Sequence, residues 1–417
     1  MVAVTHPTGN ANVRAVLNGL HRAGQLSEFY TSLGVAKASP WLRALPSAVR
    51  RQLHRRAYDL PVGMLKVHPV REAVRLASAS IPWFPPSARE VDAVYRSLDR
   101  SLAKVIAQER LAPGTDTIYA YEDGCRDAFL AARDQGLRCC YDLPIGYWRK
   151  ARILFEEEAR LQPEWAMTLT GLADSPEKLA RKDEELALAG TILVASSFTR
   201  STLDLAPAVS APVSVIPYGA PAPVERLRRA GRSSDPLRVL FVGGLSQRKG
   251  LSYLFQAMNR MGPAATLTVI GRRPNDCAAL DRNLSRHTWI PSLPHADVLE
   301  TMREHDVLVF PSLFEGFGLV ILEALAQGLP VITTPHTGGP DVLTDGEDGF
   351  IIPIRSAAAI EEKLALLSRD RALHEAMRQH ALRTAARHTW TRYGDRVAEL
   401  ICSPSERALP LPPAYAA

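Results

Sequence analysis

The chain has 417 residues, 46% of them hydrophobic and 23% charged, with a formal net charge of +6. That length exceeds one ordinary core, so two domains are expected. The composition excludes a disordered chain, a collagen-like fibre and a coiled coil, and no apolar run approaches the roughly 18 residues of a spanning helix.

The five cysteines, Cys125, Cys139, Cys140, Cys277 and Cys402, form neither a CxxC nor a zinc spacing. Reduced thiols and no bound metal are therefore expected. The first apolar run starts at Met1 and leaves no room for a signal segment, so a cytoplasmic protein is expected.

Short apolar runs at Met1–Thr5, Thr117–Tyr121, Leu137–Tyr141 and Thr191–Ala195 read as buried strands. Helical periods at Arg14–Arg22, Val91–Glu109 and Lys178–Ala189 alternate with them. Between Trp41 and Arg75 the basic residues Arg43, Arg50, Arg51, Arg55, Arg56, Lys66, Arg71 and Arg75 face only two acids, Asp59 and Glu72. A solvated helical face or contact with an anionic lipid surface fits this stretch. Nucleic acid fits poorly, because neither an aromatic platform nor a base-reading helix accompanies the charge.

Pro221–Pro236 is polar and turn-rich, and marks a boundary. Strand-like runs resume at Leu237–Val242, Thr266–Ile270, Asp306–Phe310, Pro330–Thr333 and Gly349–Ile352, again with helices between. Near-continuous apolar strands alternating with helices predict parallel sheets covered on both faces, hence two doubly wound α/β domains.

After the linker, Val239–Gly250 reads as a strand, a Gly243-Gly244 turn and a helix start carrying Arg248 and Lys249. Glycines let backbone approach a ligand, helix-start amides favour anions, and the two cations add full charge. The segment is neither a Walker A loop nor GxGxxG. Further on, Glu315-Gly-Phe-Gly318 forms a flexed loop before an apolar helix from about Leu319 to Ala326, with Gly328 near its C-cap. That helix is expected to be buried, and Glu323 with it. A buried carboxylate needs partners, which two ribose hydroxyls or a basic neighbour would supply.

The two glutamates eight apart are followed by His336-Thr-Gly-Gly-Pro-Asp341 and Asp345-Gly-Glu-Asp-Gly-Phe350. This ordered set resembles the family-4 glycosyltransferases of the GT-B fold, whose mark is an E-x7-E motif. The resemblance is specific over roughly Leu237–Pro353. It is looser at Ala195-Ser-Ser-Phe-Thr199, Val215-Ile-Pro-Tyr-Gly219 and Thr389-Trp-Thr-Arg-Tyr393.

The resemblance implies two Rossmann-like domains facing a central cleft: residues 1–218 for the acceptor, 219–236 as linker, 237–395 for the nucleotide sugar, and 396–417 as a C-terminal segment with a Pro-rich tail. It implies that Glu323 holds the donor's ribose and that Glu315 binds a hydroxyl of the transferred sugar. The amides of Phe317, Gly318 and Leu319 would face the diphosphate or sugar, and Lys249 falls on the phosphate-binding lysine. Where the family usually carries an arginine this chain has Gly244, so Arg248 would supply that charge. Gly243 belongs to the same turn, Gly338 and Gly339 would lie near the sugar, and Ile290 and Arg272 near the base.

The family retains anomeric configuration, with the leaving phosphate taking the acceptor's proton, so no dedicated base is expected. No Asp-x-Asp occurs in the chain. The basic loop would therefore stabilise the leaving diphosphate without a metal. The expected partners are a nucleotide sugar and a carbohydrate or lipid-linked acceptor, in glycan or polysaccharide biosynthesis at the inner membrane face. The rivals are a soluble disaccharide-forming transferase or phosphorylase, and a non-catalytic nucleotide-sugar-binding protein. On the acceptor side the candidates are Gly9 and Asn10 in the first turn and Tyr121, Glu122 and Asp142 at strand ends, with ordinary structural roles as the competing reading. His6 reads as a core or solvated histidine.

Overall fold

The computed structural model describes residues 1–40, 56–79, 88–172, 174–207, 209–227 and 235–403. Residues 41–55 of the basic stretch, with Arg43, Arg50, Arg51 and Arg55, part of the expected linker and the Pro-rich tail lie outside the described residues.

The first sheet holds β1 (Val2–Thr5), β2 (Leu26–Thr31), β5 (Leu65–Val67), β6 (Thr117–Tyr121), β7 (Arg138–Leu143), β8 (Thr191–Val194) and β9 (Val213–Val215). Their order is β5-β2-β1-β6-β7-β8-β9, and beside them β3 (Val35–Ala36) pairs with β4 (Ala57–Tyr58). The second sheet holds β10 (Leu237–Val242), β11 (Ala265–Ile270), β12 (Thr288–Ile290), β13 (Val307–Phe310), β14 (Val331–Thr333) and β15 (Gly349–Ile351), in the order β12-β11-β10-β13-β14-β15. Every strand pairing among the described residues is parallel. The central strands are buried on both faces, which explains why most of them read as unbroken apolar runs, whereas β5, β9 and β12 at the sheet edges are only half-buried.

β2 is the longest of the strands that pattern reading missed, the others being the short β3, β4 and β5. Its sequence, LSEFYT, carries Glu28 into the core, where the Tyr30 hydroxyl and the Ala112 amide donate to one carboxylate oxygen and Lys66 pairs with the other. A paired buried acid breaks the apolar run without breaking the strand.

Several contacts stitch the domains, and two of them are made by long helices. Helix Trp390–Cys402 leaves the second domain and packs along helix Ala11–Arg22 of the first, closed by Arg22–Asp395 at 2.6 Å, so a boundary at residue 395 falls inside this helix. Helix Trp148–Leu161 leans the other way. Its fully buried Glu158 accepts from Gln247 Nε2 (2.7 Å), the Tyr253 hydroxyl (2.9 Å) and Arg355 Nε (2.7 Å), all in the second domain.

Candidate functional site

In open parallel sheets, ligands bind beyond the carboxyl ends of the strands, where neighbouring connections diverge. In the second sheet that point lies between β10 and β13. The loop after β10 passes through a 3-10 turn, Gln247–Lys249, and the loop after β13 runs from Pro311 to Gly318. The Leu313 amide donates to the Arg248 carbonyl at 2.8 Å and joins the two loops.

Three donors converge on Glu315 Oε1: Lys249 Nζ, Arg248 Nη1 at 3.0 Å and Ser312 Oγ at 2.7 Å. The Ser312 hydroxyl also lies 3.1 Å from the Arg248 carbonyl. With one proton to give, it favours the nearer, charged acceptor. Glu315 Oε2 takes no hydrogen bond among the described residues. Burial opposes the Glu315 charge, yet Lys249 and Arg248 outweigh it and hold the carboxyl below its usual range. Burial pushes the Lys249 ammonium down to about 8, against the pull of Glu315. Two cations thus answer one carboxylate, which leaves the crevice positive at neutral pH.

Gly318 precedes helix Leu319–Ala326 at φ 87°, a conformation that suits glycine, and a Cβ there would sit 2.8 Å from the Phe310 ring. Among the described residues nothing accepts from the amides of Phe317, Gly318 or Leu319. Unpaired helix-start amides beside excess positive charge are groups that favour an anion.

The other donor-side candidates form its rim. The Gly243 amide donates to the Ile270 carbonyl, Leu245 to Arg272, and Gly271 to Ile290, at 2.9–3.0 Å, so Gly243, Gly244, Arg272 and Ile290 stand along one edge. Gly244 and Arg272 are exposed. On the other side the Gly338 amide donates to the Phe317 carbonyl at 2.6 Å, and Gly339 to Thr337 Oγ1 at 2.9 Å. The expectation that Glu323 is buried needs correction. The helix buries six apolar residues but leaves the Glu323 side chain 21% exposed, with Oε1 held by His295 Nε2 at 2.8 Å. The histidine at the start of helix His295–Arg303 was not singled out from the sequence, since nothing in the sequence itself links it to a residue 28 positions on.

A cavity of about 220 Å³ lies between the domains, walled in part by Glu122, Trp148 and Lys182 from the first and Ser246, Arg248 and Phe314 from the second. Phe314 packs edge-on against Phe155 and Phe198, ring centroids 5.6 Å apart in each pair, and so closes one side of the cleft. Glu122 is the one acceptor-side candidate on the described cavity wall, and Lys182 neutralises it at 2.7 Å. Gly9 lies beneath Tyr58, whose ring carries the Arg14 guanidinium, while Asn10 is exposed at the start of helix Ala11–Arg22. Tyr121 is buried with its ring 4.7 Å from that of His6. Asp142 is also buried. It accepts from the Tyr119 hydroxyl at 2.5 Å, and burial raises its carboxyl to about 7. Burial lowers His6 to about 3, which makes it a neutral core histidine.

Residues 224–384 match the sequence profile of the glycosyl transferases group 1 family. A capsular polysaccharide biosynthesis glycosyltransferase of Staphylococcus aureus, CapM, is 32% identical over 149 residues, or 34% of this chain and 39% of that protein. A D-inositol 3-phosphate glycosyltransferase of Geodermatophilus obscurus is 33% identical over 220 residues, 45% and 47% of the two chains. The chain thus spans less than half the length of either curated relative. Among solved structures, a sucrose-phosphate synthase from Thermosynechococcus elongatus superposes with a TM-score of 0.62 at 18% identity, covering 96% of this chain and 98% of that one. Anabaena HepE, solved with UDP, gives 0.61 at 15%, covering 96% and 99%. The fold is GT-B: two Rossmann-like domains with parallel sheets.

Proposed function

We propose that the chain is a retaining glycosyltransferase of the family-4 type, in which Glu315 and Glu323 are the E-x7-E pair and a nucleotide-diphosphate sugar is the donor. The observation that carries this reading is the crevice between β10 and β13. It combines two cations, unpaired amides at 317–319 and a carboxylate with one free oxygen. A diphosphate matches the first two, and a sugar hydroxyl donating to Glu315 Oε2 matches the third. Negative charge grows on the departing diphosphate during transfer, and fixed donors stabilise it. Lys249, assisted by Arg248, takes that role without a metal in our reading. The leaving phosphate accepts the acceptor's proton, so no enzymic base is required.

The acceptor enters the cavity beside Trp148 and Arg248, and a carbohydrate or lipid-linked hydroxyl is the class we favour. The relative named for capsular polysaccharide biosynthesis supports a role in glycan assembly. No helix among the described residues is long and apolar enough to cross a membrane. Peripheral contact with an anionic inner membrane surface is part of the proposal. It is supported by the exposed Val62, Val70 and Val74 near the exposed Arg71. Against it, Arg56 and Arg75 are both paired with Glu72.

The test is donor hydrolysis by the purified chain across UDP-, GDP- and ADP-sugars, with and without EDTA. Slow release of the nucleoside diphosphate from one donor class, unaffected by EDTA and lost in Glu315→Gln, is expected. Absence of release from every donor, with or without cell extract as acceptor, contradicts the reading.

A further inference from the structure

The segment Ala195-Ser-Ser-Phe-Thr199 lies far in sequence from the β10–β13 crevice, yet it grips the loop that carries Glu315. It starts helix Ser197–Thr202 of the first domain. Ser196 Oγ lies 2.5 Å and Thr199 Oγ1 2.9 Å from one carbonyl oxygen, that of Gly316. A carbonyl has two lone pairs and each hydroxyl one proton, so both hydroxyls donate and the oxygen is saturated. Ser196 Oγ also accepts from the Thr199 amide at 3.1 Å, and its one proton favours the Gly316 carbonyl at 2.5 Å over Thr199 Oγ1 at 3.1 Å.

Gly316 has no freedom to drift from this grip. A Cβ on it would meet the Pro144 carbonyl oxygen at 1.8 Å, so its backbone lies against the first domain. Two further contacts from the same short helix flank it. The Ser197 amide donates to both oxygens of Asp341, at 3.1 and 3.0 Å. The Phe198 ring stacks on His336, centroids 4.5 Å apart, and His336 Nδ1 lies 2.8 Å from the Leu313 carbonyl. Pro311–Gly318 and the Gly338–Gly339 turn are therefore held from the acceptor domain.

We infer that Ser196 and Thr199 are positioning residues: by filling the Gly316 carbonyl they fix Glu315 and the amides of Phe317 to Leu319, so that the first domain holds the anion site of the second in shape. This inference rests on the reading of that loop as the donor site. Neither hydroxyl touches substrate. Their effect is preorganisation, because a loop already held in its binding shape costs less to order when the ligand arrives.

The test uses the full chain and whichever of UDP, GDP or ADP binds it most tightly in calorimetry. Thr199→Val keeps shape and removes the donor, and is expected to weaken nucleotide binding roughly 2- to 10-fold, the worth of one neutral hydrogen bond. Thr199→Ser is expected to restore it. Ser196→Ala should act in the same direction, but it also removes a helix cap, so Thr199 is the decisive position. A merely structural role would shift the melting temperature and leave affinity unchanged. Wild-type affinity in Thr199→Val, or an equal loss in Thr199→Ser, overturns the inference. If Lys249→Ala weakens binding while Thr199→Val does not, this inference alone falls. If the wild type binds none of the three nucleotides, the donor-site reading falls and takes this inference with it.

Discussion

The carboxyl edges of the two sheets face one cleft, yet they differ in how their polar groups are satisfied. On the second edge the bonds are incomplete: Glu315 keeps one oxygen free, two cations share one carboxylate, and three amides have no acceptor among the described residues. On the first edge the acids are matched from within, although the buried Thr5 and Tyr121 hydroxyls have no partner among the described residues. Lys182 neutralises Glu122, Tyr119 donates to Asp142, and Glu185 accepts from the Asp123 and Cys125 amides at 2.8 and 3.2 Å. Buried polar groups are costly when unpaired. The excess cation and open amides of the second edge therefore suit an anionic ligand, whereas on the first edge the charges are matched and hydroxyls of Thr5 and Tyr121 stay unpaired.

Five changes break or sharpen that contrast. The largest effect is expected from Lys249→Ala, which removes the buried cation and should lower turnover by about 10²–10³-fold, the usual cost of one charge-stabilising donor. Initial rates with the best donor measure it, and an unchanged rate would break the comparison outright. Gly316→Ala forces a methyl group onto the Pro144 carbonyl, and overpacking of this kind costs about 1–3 kcal/mol. Denaturant unfolding reads that loss. Glu323→Gln should weaken nucleotide binding by roughly 10- to 150-fold, since a bond to a charged group is worth roughly 1.5–3 kcal/mol. Calorimetry reads this directly.

The fourth is a pH dependence. The Lys249 ammonium titrates near 8 in the free protein, and a bound diphosphate favours its charged form. Nucleotide affinity should hold below pH 8 and fall as pH rises through it, by less than about tenfold per unit. An affinity flat from pH 7 to 9 contradicts the assignment. The smallest functional effect belongs to Asp142→Asn. The Asp142 carboxyl is raised from 3.8 to about 7 by burial, so folding takes up a proton between those values. That contribution is complete at low pH and lost as pH rises through about 7. The amide should keep transfer activity and unfold at a higher temperature than the wild type at pH 8. Lost activity would place Asp142 on the ligand side of the contrast.

The second domain was legible from sequence because its ligand-facing groups sit in short loops between unbroken apolar strands, so chemistry and spacing appear together. Gly243 to Lys249 and Glu315 to Leu319 are read directly, and the structure brings both segments to one crevice. What stayed hidden depends on distance along the chain. Ser196 and Thr199 meet Gly316 across more than a hundred residues, and His295 meets Glu323 across 28. Glu28 disguised β2 because a paired acid in a strand has no period. In the first domain Gly9 and Asp142 carry the residue types of a ligand site, but Tyr58 and Tyr119 occupy them, and only packing reveals that.

The most direct measurement is a crystal structure of the chain with UDP, GDP or ADP, whichever binds most tightly. The account predicts diphosphate oxygens within hydrogen-bond distance of Lys249 Nζ and of the amides of Phe317, Gly318 or Leu319, with the ribose at Glu323. A nucleotide bound on the first sheet's edge, or one that leaves Lys249 and those amides untouched, would contradict it.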